Sequence, residues 1–331
     1  MLRYIFLVFI LLSCSTSPKE PSTDDGWDDI GGATNDSPSS DTADGDGPSD
    51  DDEEETGDPS DSGDTNEEQP VLPALQAAGP GDVNTSTGSF DTTDGCTLDY
   101  TRYQASDPIG EAFIFHGFMR GQNQFSDLAN HLASWGVSST TVGLCHSTFT
   151  DVDTEQNSRD AIELARNMGI ESVVWMGQSN GGMSALIAGG IAPDITVGIL
   201  GLDPVESMAG GGESWADEVR SPAAALFGIA DSCNEDNSGR SAFGQTPESI
   251  ALRVTEADHC SFEFPTGPLC ILACQRAKST FSESDIDRTI LELSTAWTLA
   301  RVDATFDDTP WWNISGERYS ALIEAGAITP L

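Results

Sequence analysis

From about Gln76 onward, short β-type apolar runs alternate with stretches in which apolar residues recur every three or four positions. Ala112–Phe115, Ser139–Val142, Ser172–Met176, Val197–Leu202, Ala224–Ile229 and Ala251–Val254 read as strands, several of them apolar throughout, as strands buried on both faces are. Phe125, Leu128, Leu132 and Trp135 recur at helical spacing and Gly136 stops that helix; Ala161, Leu164, Ala165 and Met168 mark a second helix, ending at Gly169. Ser184–Ala192 is a helix of small residues, and Ile286, Ile290, Leu293 and Trp297 outline a closing amphipathic one. Strands alternating with helices predict an α/β class: a mostly parallel central sheet with helices on both faces.

Before about residue 70 neither rhythm exists after a short opening apolar run. Twenty Asp and Glu residues fall between Cys14 and Val71 against the single Lys19. Such a segment cannot bury enough apolar area to offset its ordering entropy, so it is expected to be a solvated, self-repelling spacer. Formal net charge is −41, which argues against a nucleic-acid partner, because a polyanion would be repelled and no basic patch competes. Met1 to Leu12 gives a positive start and an apolar run too short to span a bilayer. With Leu11-Leu12-Ser13-Cys14 it resembles a bacterial lipoprotein signal and its lipobox. That resemblance implies a signal peptide over 1–13, lipid on Cys14, a linker over 14–70 and a domain over 71–331. Membrane contact is then expected through the lipid alone. Ser15 after the anchor implies the outer membrane or cell surface.

Beyond Cys14 six cysteines remain: Cys96, Cys145, Cys233, Cys260, Cys270 and Cys274. An even number in an exported chain argues for disulfides, in any of 15 pairings. Cys-His clusters with metal-ligand spacing are absent, so no metal is expected.

The chemistry centres on Gly177-Gln178-Ser179-Asn180-Gly181, a Gly-x-Ser-x-Gly between an apolar strand and a helix. In that context the motif forms a nucleophile elbow, a strained turn that exposes the serine hydroxyl above the sheet. His116-Gly117-Phe118 follows the strand over 112–115 as an oxyanion-hole loop would, so the backbone N–H groups of Phe118 and Asn180 are the candidate donors to a developing oxyanion. His116 itself reads as a loop brace. Of four histidines only His259 follows Ser179, after a strand, where a loop can hang the imidazole over the serine as general base. Two residues could orient it: Asp203 in Gly201-Leu202-Asp203-Pro204-Val205, or Asp231 in Gly228-Ile229-Ala230-Asp231.

These motifs resemble the α/β-hydrolase superfamily, in particular the group of chlorophyllases, poly(ethylene terephthalate) hydrolases with their cutinase relatives, and platelet-activating-factor acetylhydrolases. The resemblance covers most of Cys96 to about Ala300. Leu202-Asp203-Pro204-Val205 resembles the Asp-Pro-Val of chlorophyllases, whose aspartate is the triad acid, and Cys233, Cys270 and Cys274 fall where those enzymes carry cysteines. In the cutinase-like branch the acid lies one strand later, nearer Asp231. Asn180 replaces the methionine frequent in the plastic- and cutin-cleaving branch. The resemblance implies a monomeric, cofactor-free serine esterase acting on small-molecule or lipid-like esters through an acyl-enzyme. An acyltransferase or peptidase with the same triad, and a non-catalytic binding module on this scaffold, are the alternatives.

Overall fold

A computed structural model describes residues 72–206 and 211–331. The expected signal sequence, the lipid site Cys14 and the acidic linker lie outside the described residues.

Eleven strands are present among these residues: β1 (Val83–Asp91), β2 (Thr97–Ala105), β3 (Gly110–Phe115), β4 (Val137–Val142), β5 (Ser147–Thr148), β6 (Asp151–Val152), β7 (Val173–Gln178), β8 (Thr196–Leu202), β9 (Ala223–Phe227), β10 (Ile250–Val254) and β11 (Ile328–Pro330). The helices are α1 (Ser126–Ser134), α2 (Thr154–Asn167), α3 (Asn180–Ile191), α4 (Gly212–Ala216), α5 (Arg240–Gln245), α6 (Pro268–Cys274), α7 (Glu283–Val302), α8 (Thr309–Trp312) and α9 (Glu317–Glu324). Nine strands form one sheet in the order β1-β2-β4-β3-β7-β8-β9-β10-β11, while β5 and β6 form a separate hairpin. From β4 through β10 every pairing is parallel; β1–β2, β2–β4 and β10–β11 are antiparallel. The α/β class with a mostly parallel central sheet is therefore what the chain adopts.

The unbroken apolar runs of the central strands follow from burial on both faces. Ala112, Ile114, Val174, Met176, Leu200 and Leu202 point into one core, closed by α1 and α7. Their neighbours Phe113, Phe115, Val173, Trp175 and Ile199 point into the other, closed by α2 and α3. The expected helix stops hold, because Gly136 and Gly169 take φ of 93° and 73°, a left-handed conformation that costs glycine little. Asp153 caps α2 through Gln156 N, and Ser282 with Asp285 forms a capping box on α7. The small-residue helix begins earlier than its composition suggested, at Asn180 directly after Ser179, and the strand expected to reach Ile229 ends at Phe227.

The β1–β2 hairpin has no apolar run to announce it: β1 is an edge strand, mostly polar and largely exposed. Residues 304–331 complete the first core. Trp311 and Trp312 are buried there, with Trp312 edge-on to Trp297, and β11 extends the sheet against β10.

Three disulfides join Cys96 to Cys145, Cys233 to Cys274, and Cys260 to Cys270. The first closes a sequence separation of 49 residues. Chain-entropy reasoning assigns a loop of this size a stabilisation on the order of 4 kcal/mol, before any native-state strain is subtracted. Replacing both Cys96 and Cys145 by Ser is expected to lower stability by about 2–4 kcal/mol, read from urea unfolding with the slope fitted for each protein, since the uncrosslinked unfolded chain exposes more surface.

Candidate active site

The strand order reverses between β3 and β7: the chain leaves β3 for β4 on one side and later enters β7 on the other. In open α/β sheets ligands bind outside the carboxyl ends of the strands at such a switch point. The loop His116–Phe118 leaves β3 here, and Ser179 leaves β7 beside it.

Ser179 has φ 57° and ψ −128°, a left-handed conformation unfavourable for a residue with a side chain. The strained turn drops the chain directly into α3. It closes only because its flanks are bare: a Cβ on Gly177 would overlap the Gly181 carbonyl, and one on Gly181 would overlap the carbonyls of Phe115 and His116. Gly117 likewise has no room for a Cβ beside Ser179 and the Gln178 side chain. The two motifs are therefore one packed unit. Asn180 is the first residue of α3, so its N–H has no acceptor within the helix. Its side-chain Nδ2 is buried and also without a partner among the described residues. Phe118, on the opposing loop, is held by an edge-on contact with Phe149 at 5.2 Å between ring centres.

His259 opens a 3-10 turn after β10, over His259–Phe262, capped by the Asp258 carboxylate. Its Nδ1 lies 2.7 Å from Asp203 Oδ2. Asp203, at the end of β8, is wholly buried; Gly228 N donates to its Oδ1 and Asn234 Nδ2 to both oxygens. Facing a carboxylate, Nδ1 carries the ring proton, and Nε2 is left as a lone pair. That lone pair meets Gln178 Nε2 at 3.0 Å, and the same amide donates to the His259 carbonyl. No hydrogen bond joins Ser179 Oγ to His259 among the described residues. The geometry thus brings His259 and Asp203 into direct contact and places Gln178 at the ring nitrogen that a nucleophile would need.

Asp231 is placed elsewhere. Arg276 Nε donates to its Oδ2 at 2.6 Å, and Cys233 N and Asn234 N donate to its Oδ1. Its effect on His259 is indirect: it sets the loop that aims Asn234 at Asp203. Asn234 and Gln178 escape sequence reasoning, since an amide signals no chemistry until its neighbours are known. Gln178 occupies the first variable position of the Gly-x-Ser-x-Gly motif, the one signal that could have marked it.

His116 braces the loop. Its Nδ1 donates to Gly117 O and its Nε2 accepts from Leu144 N, both at distances under 3 Å, which fixes a neutral tautomer. Burial pushes its pKa down to about 4. His131 is held between Leu75 O and Thr295 Oγ1, a packing role between α1 and α7.

Because the unfolded chain takes up the His116 proton at ordinary pH values near 6.5 and the folded one only near 4, the stability this residue contributes is complete above about pH 6.5 and is lost as pH falls toward 4. NMR titration of the imidazoles is expected to show His116 neutral at pH 5; a midpoint near 6.5 would refute the assigned tautomer.

No model of a known protein family matches the chain, and no curated protein shows significant similarity to it. The chain is thus described by its own geometry: an α/β fold that gathers Ser179, Asp203 and His259 at the carboxyl end of its parallel sheet.

Proposed function

We propose that the protein is a serine hydrolase of the α/β-hydrolase type that cleaves carboxylic esters. The observation carrying this reading is the conjunction of a strained, glycine-flanked Ser179 with the buried Asp203–His259 pair, in the chain order Ser, Asp, His. Strain in the backbone is kept where the surroundings over-determine it, and a buried acid–imidazole pair at the same sheet edge gives that strain a chemical purpose.

In this mechanism the hydroxyl of Ser179 displaces the Gln178 amide from His259 Nε2 and gives up its proton there while Oγ attacks the ester carbonyl. Asp203 holds the ring tautomer and stabilises the imidazolium. The N–H groups of Phe118 and Asn180 receive the oxyanion, with Asn180 Nδ2 as a further donor. Collapse of the tetrahedral intermediate expels the alcohol with the proton from Nε2, and water repeats the sequence on the acyl-enzyme.

Apolar acyl chains are the favoured substrates. The loops that follow β3, β4 and β9 expose Met119, Phe149 and Ile229, and α6 exposes Leu269 and Leu272, the last 85% exposed. Exposed apolar side chains offer contacts for apolar ligands or surfaces. Three disulfides accord with an exported protein, and anchorage at the cell envelope through Cys14 remains part of the proposal.

Ser179→Ala is expected to abolish turnover of p-nitrophenyl esters and labelling by a fluorophosphonate while the melting temperature stays within a few degrees. Retained turnover would remove Ser179 from the mechanism, and an unlabelled, inactive wild type would leave a binding module. Asp203→Asn is expected to lower kcat by a factor on the order of 10⁴ through the wrong tautomer. Asp231→Asn should act only through the Arg276 contact and the loop, with a much smaller loss; the reverse ranking would make Asp231 the acid.

A further inference from the structure

We propose that Asp94, His146 and Asp160 form a binding site for a divalent cation of the zinc type. Asp94 lies in the β1–β2 turn, His146 just before β5 and Asp160 within α2. One donor atom from each lies within 4.8 Å of the other two. His146 Nε2 is 3.4 Å from Asp94 Oδ2 and 3.9 Å from Asp160 Oδ2. Zinc bonds of about 2.0–2.2 Å to nitrogen and oxygen put tetrahedral donors about 3.4 Å apart, a spacing the His146–Asp94 pair already has and which the Asp160 carboxylate would reach by moving inward.

The orientation of each side chain favours an electrophile at the centre. Asp151 Oδ2 lies 2.9 Å from His146 Nδ1, which sets the ring proton on that nitrogen and turns the Nε2 lone pair toward the two other carboxylates. Facing anionic oxygens, that nitrogen takes up either a second proton, which Asp151, Asp160 and Asp94 favour, or a metal cation in the proton's place. Asp160 has a side chain only 2% exposed; Gln156 Nε2 donates to its Oδ1. Asp160 Oδ2 and His146 Nε2 are both shut off from solvent with no hydrogen-bond partner among the described residues. Unpartnered buried acceptors are costly, and a cation bound at the point both face would satisfy the two together. Asp94 Oδ1 is occupied by Thr92 Oγ1 and Cys96 N, which leaves Oδ2 for the cluster.

The three segments are held ready without the ion. The Cys96–Cys145 disulfide joins the chain next to Asp94 with the residue before His146, and the Asn157 side chain clasps both the N–H and the carbonyl of His146. One nitrogen and two carboxylates suit zinc better than calcium, which takes six to eight oxygens. Asp94 is partly exposed, so water can reach the remaining coordination position. The three donors are scattered along the chain without a ligand motif, and only the fold assembles them.

Such an ion would work as a staple. The hairpin β5–β6 between His146 and Asp153 carries Ser147, whose carbonyl accepts from Met119 N and whose hydroxyl donates to Gly117 O, and Phe149, which packs on Phe118. A cation on His146 therefore stiffens the loop carrying Phe118. Cation binding itself does not depend on Ser179 being a nucleophile.

The test uses the full chain, stripped with EDTA, then dialysed against micromolar Zn²⁺ and counted by mass spectrometry of the metal. Wild-type protein is expected to hold one equivalent more than Asp94→Asn, His146→Gln or Asp160→Asn, and to gain several degrees in melting temperature that the variants do not. The acidic segment before residue 71 is common to all four proteins, so its weak binding cancels. Asp94 is exposed enough that Asp94→Asn keeps the fold even if Asp160→Asn does not. Equal zinc content in wild type and Asp94→Asn, or no zinc retained by wild type, overturns the proposal and leaves a protonated His146 among its acids.

Discussion

The molecule turns on a close approach of backbone to backbone at Ser179. The end of β7 enters α3 through one residue of positive φ, and the turn is tight enough that Gly177 and Gly181 lie against carbonyls where no Cβ fits. Gly181 touches the end of β3, so the same contact ties the His116–Phe118 loop to the serine. Relaxing the turn would separate Ser179 from the Gly117 backbone packed beside it. That strain, of order 1–3 kcal/mol, is held by burial on both sides of the sheet, with Trp175 and Phe115 beneath one face and Met176 and Ile114 beneath the other.

Around this rigid centre the remaining groups come from loops, which are mobile unless tied. Each is tied by a different means. The His259 turn is capped by Asp258 and linked by Cys260 to α6; the Asp231–Asn237 loop is fixed by Arg276 and the Cys233–Cys274 bond. The β5–β6 hairpin depends on polar contacts through His146 and Asn157. The two disulfides of α6 thus brace the His259 turn and the loop carrying Asn234 together, since both converge on one short helix.

Asp203 and Asp231 show how similar sequence contexts part in three dimensions. Both follow strand ends and both are buried. Asp203 sits where β8 emerges beside β7, takes a positive φ of 46° and meets His259 with its carboxylate. Asp231 starts one strand further out and meets a guanidinium first. A charged partner at 2.6 Å commits it to that contact. Asn234 then carries its influence back to Asp203, so the two aspartates act in series.

Periodicity by itself determined the α/β class, most central strands and the main helices, because a strand buried on both faces must be apolar throughout and a covering helix must repeat its apolar face. Gly-x-Ser-x-Gly also marked the turn at Ser179, since its glycines answer a local steric demand. The polar edge hairpin, the burial of Trp311 and Trp312, the disulfide pairing and which of Asp203 and Asp231 lies against His259 needed the tertiary structure. These depend on which distant segments become neighbours, a matter of strand order and loop direction that local residue patterns do not encode. The same holds for Gln178 against His259 and for the Asp94, His146 and Asp160 cluster. Single amides, acids and imidazoles acquire a role only from the atoms that folding brings within about 3–4 Å of them.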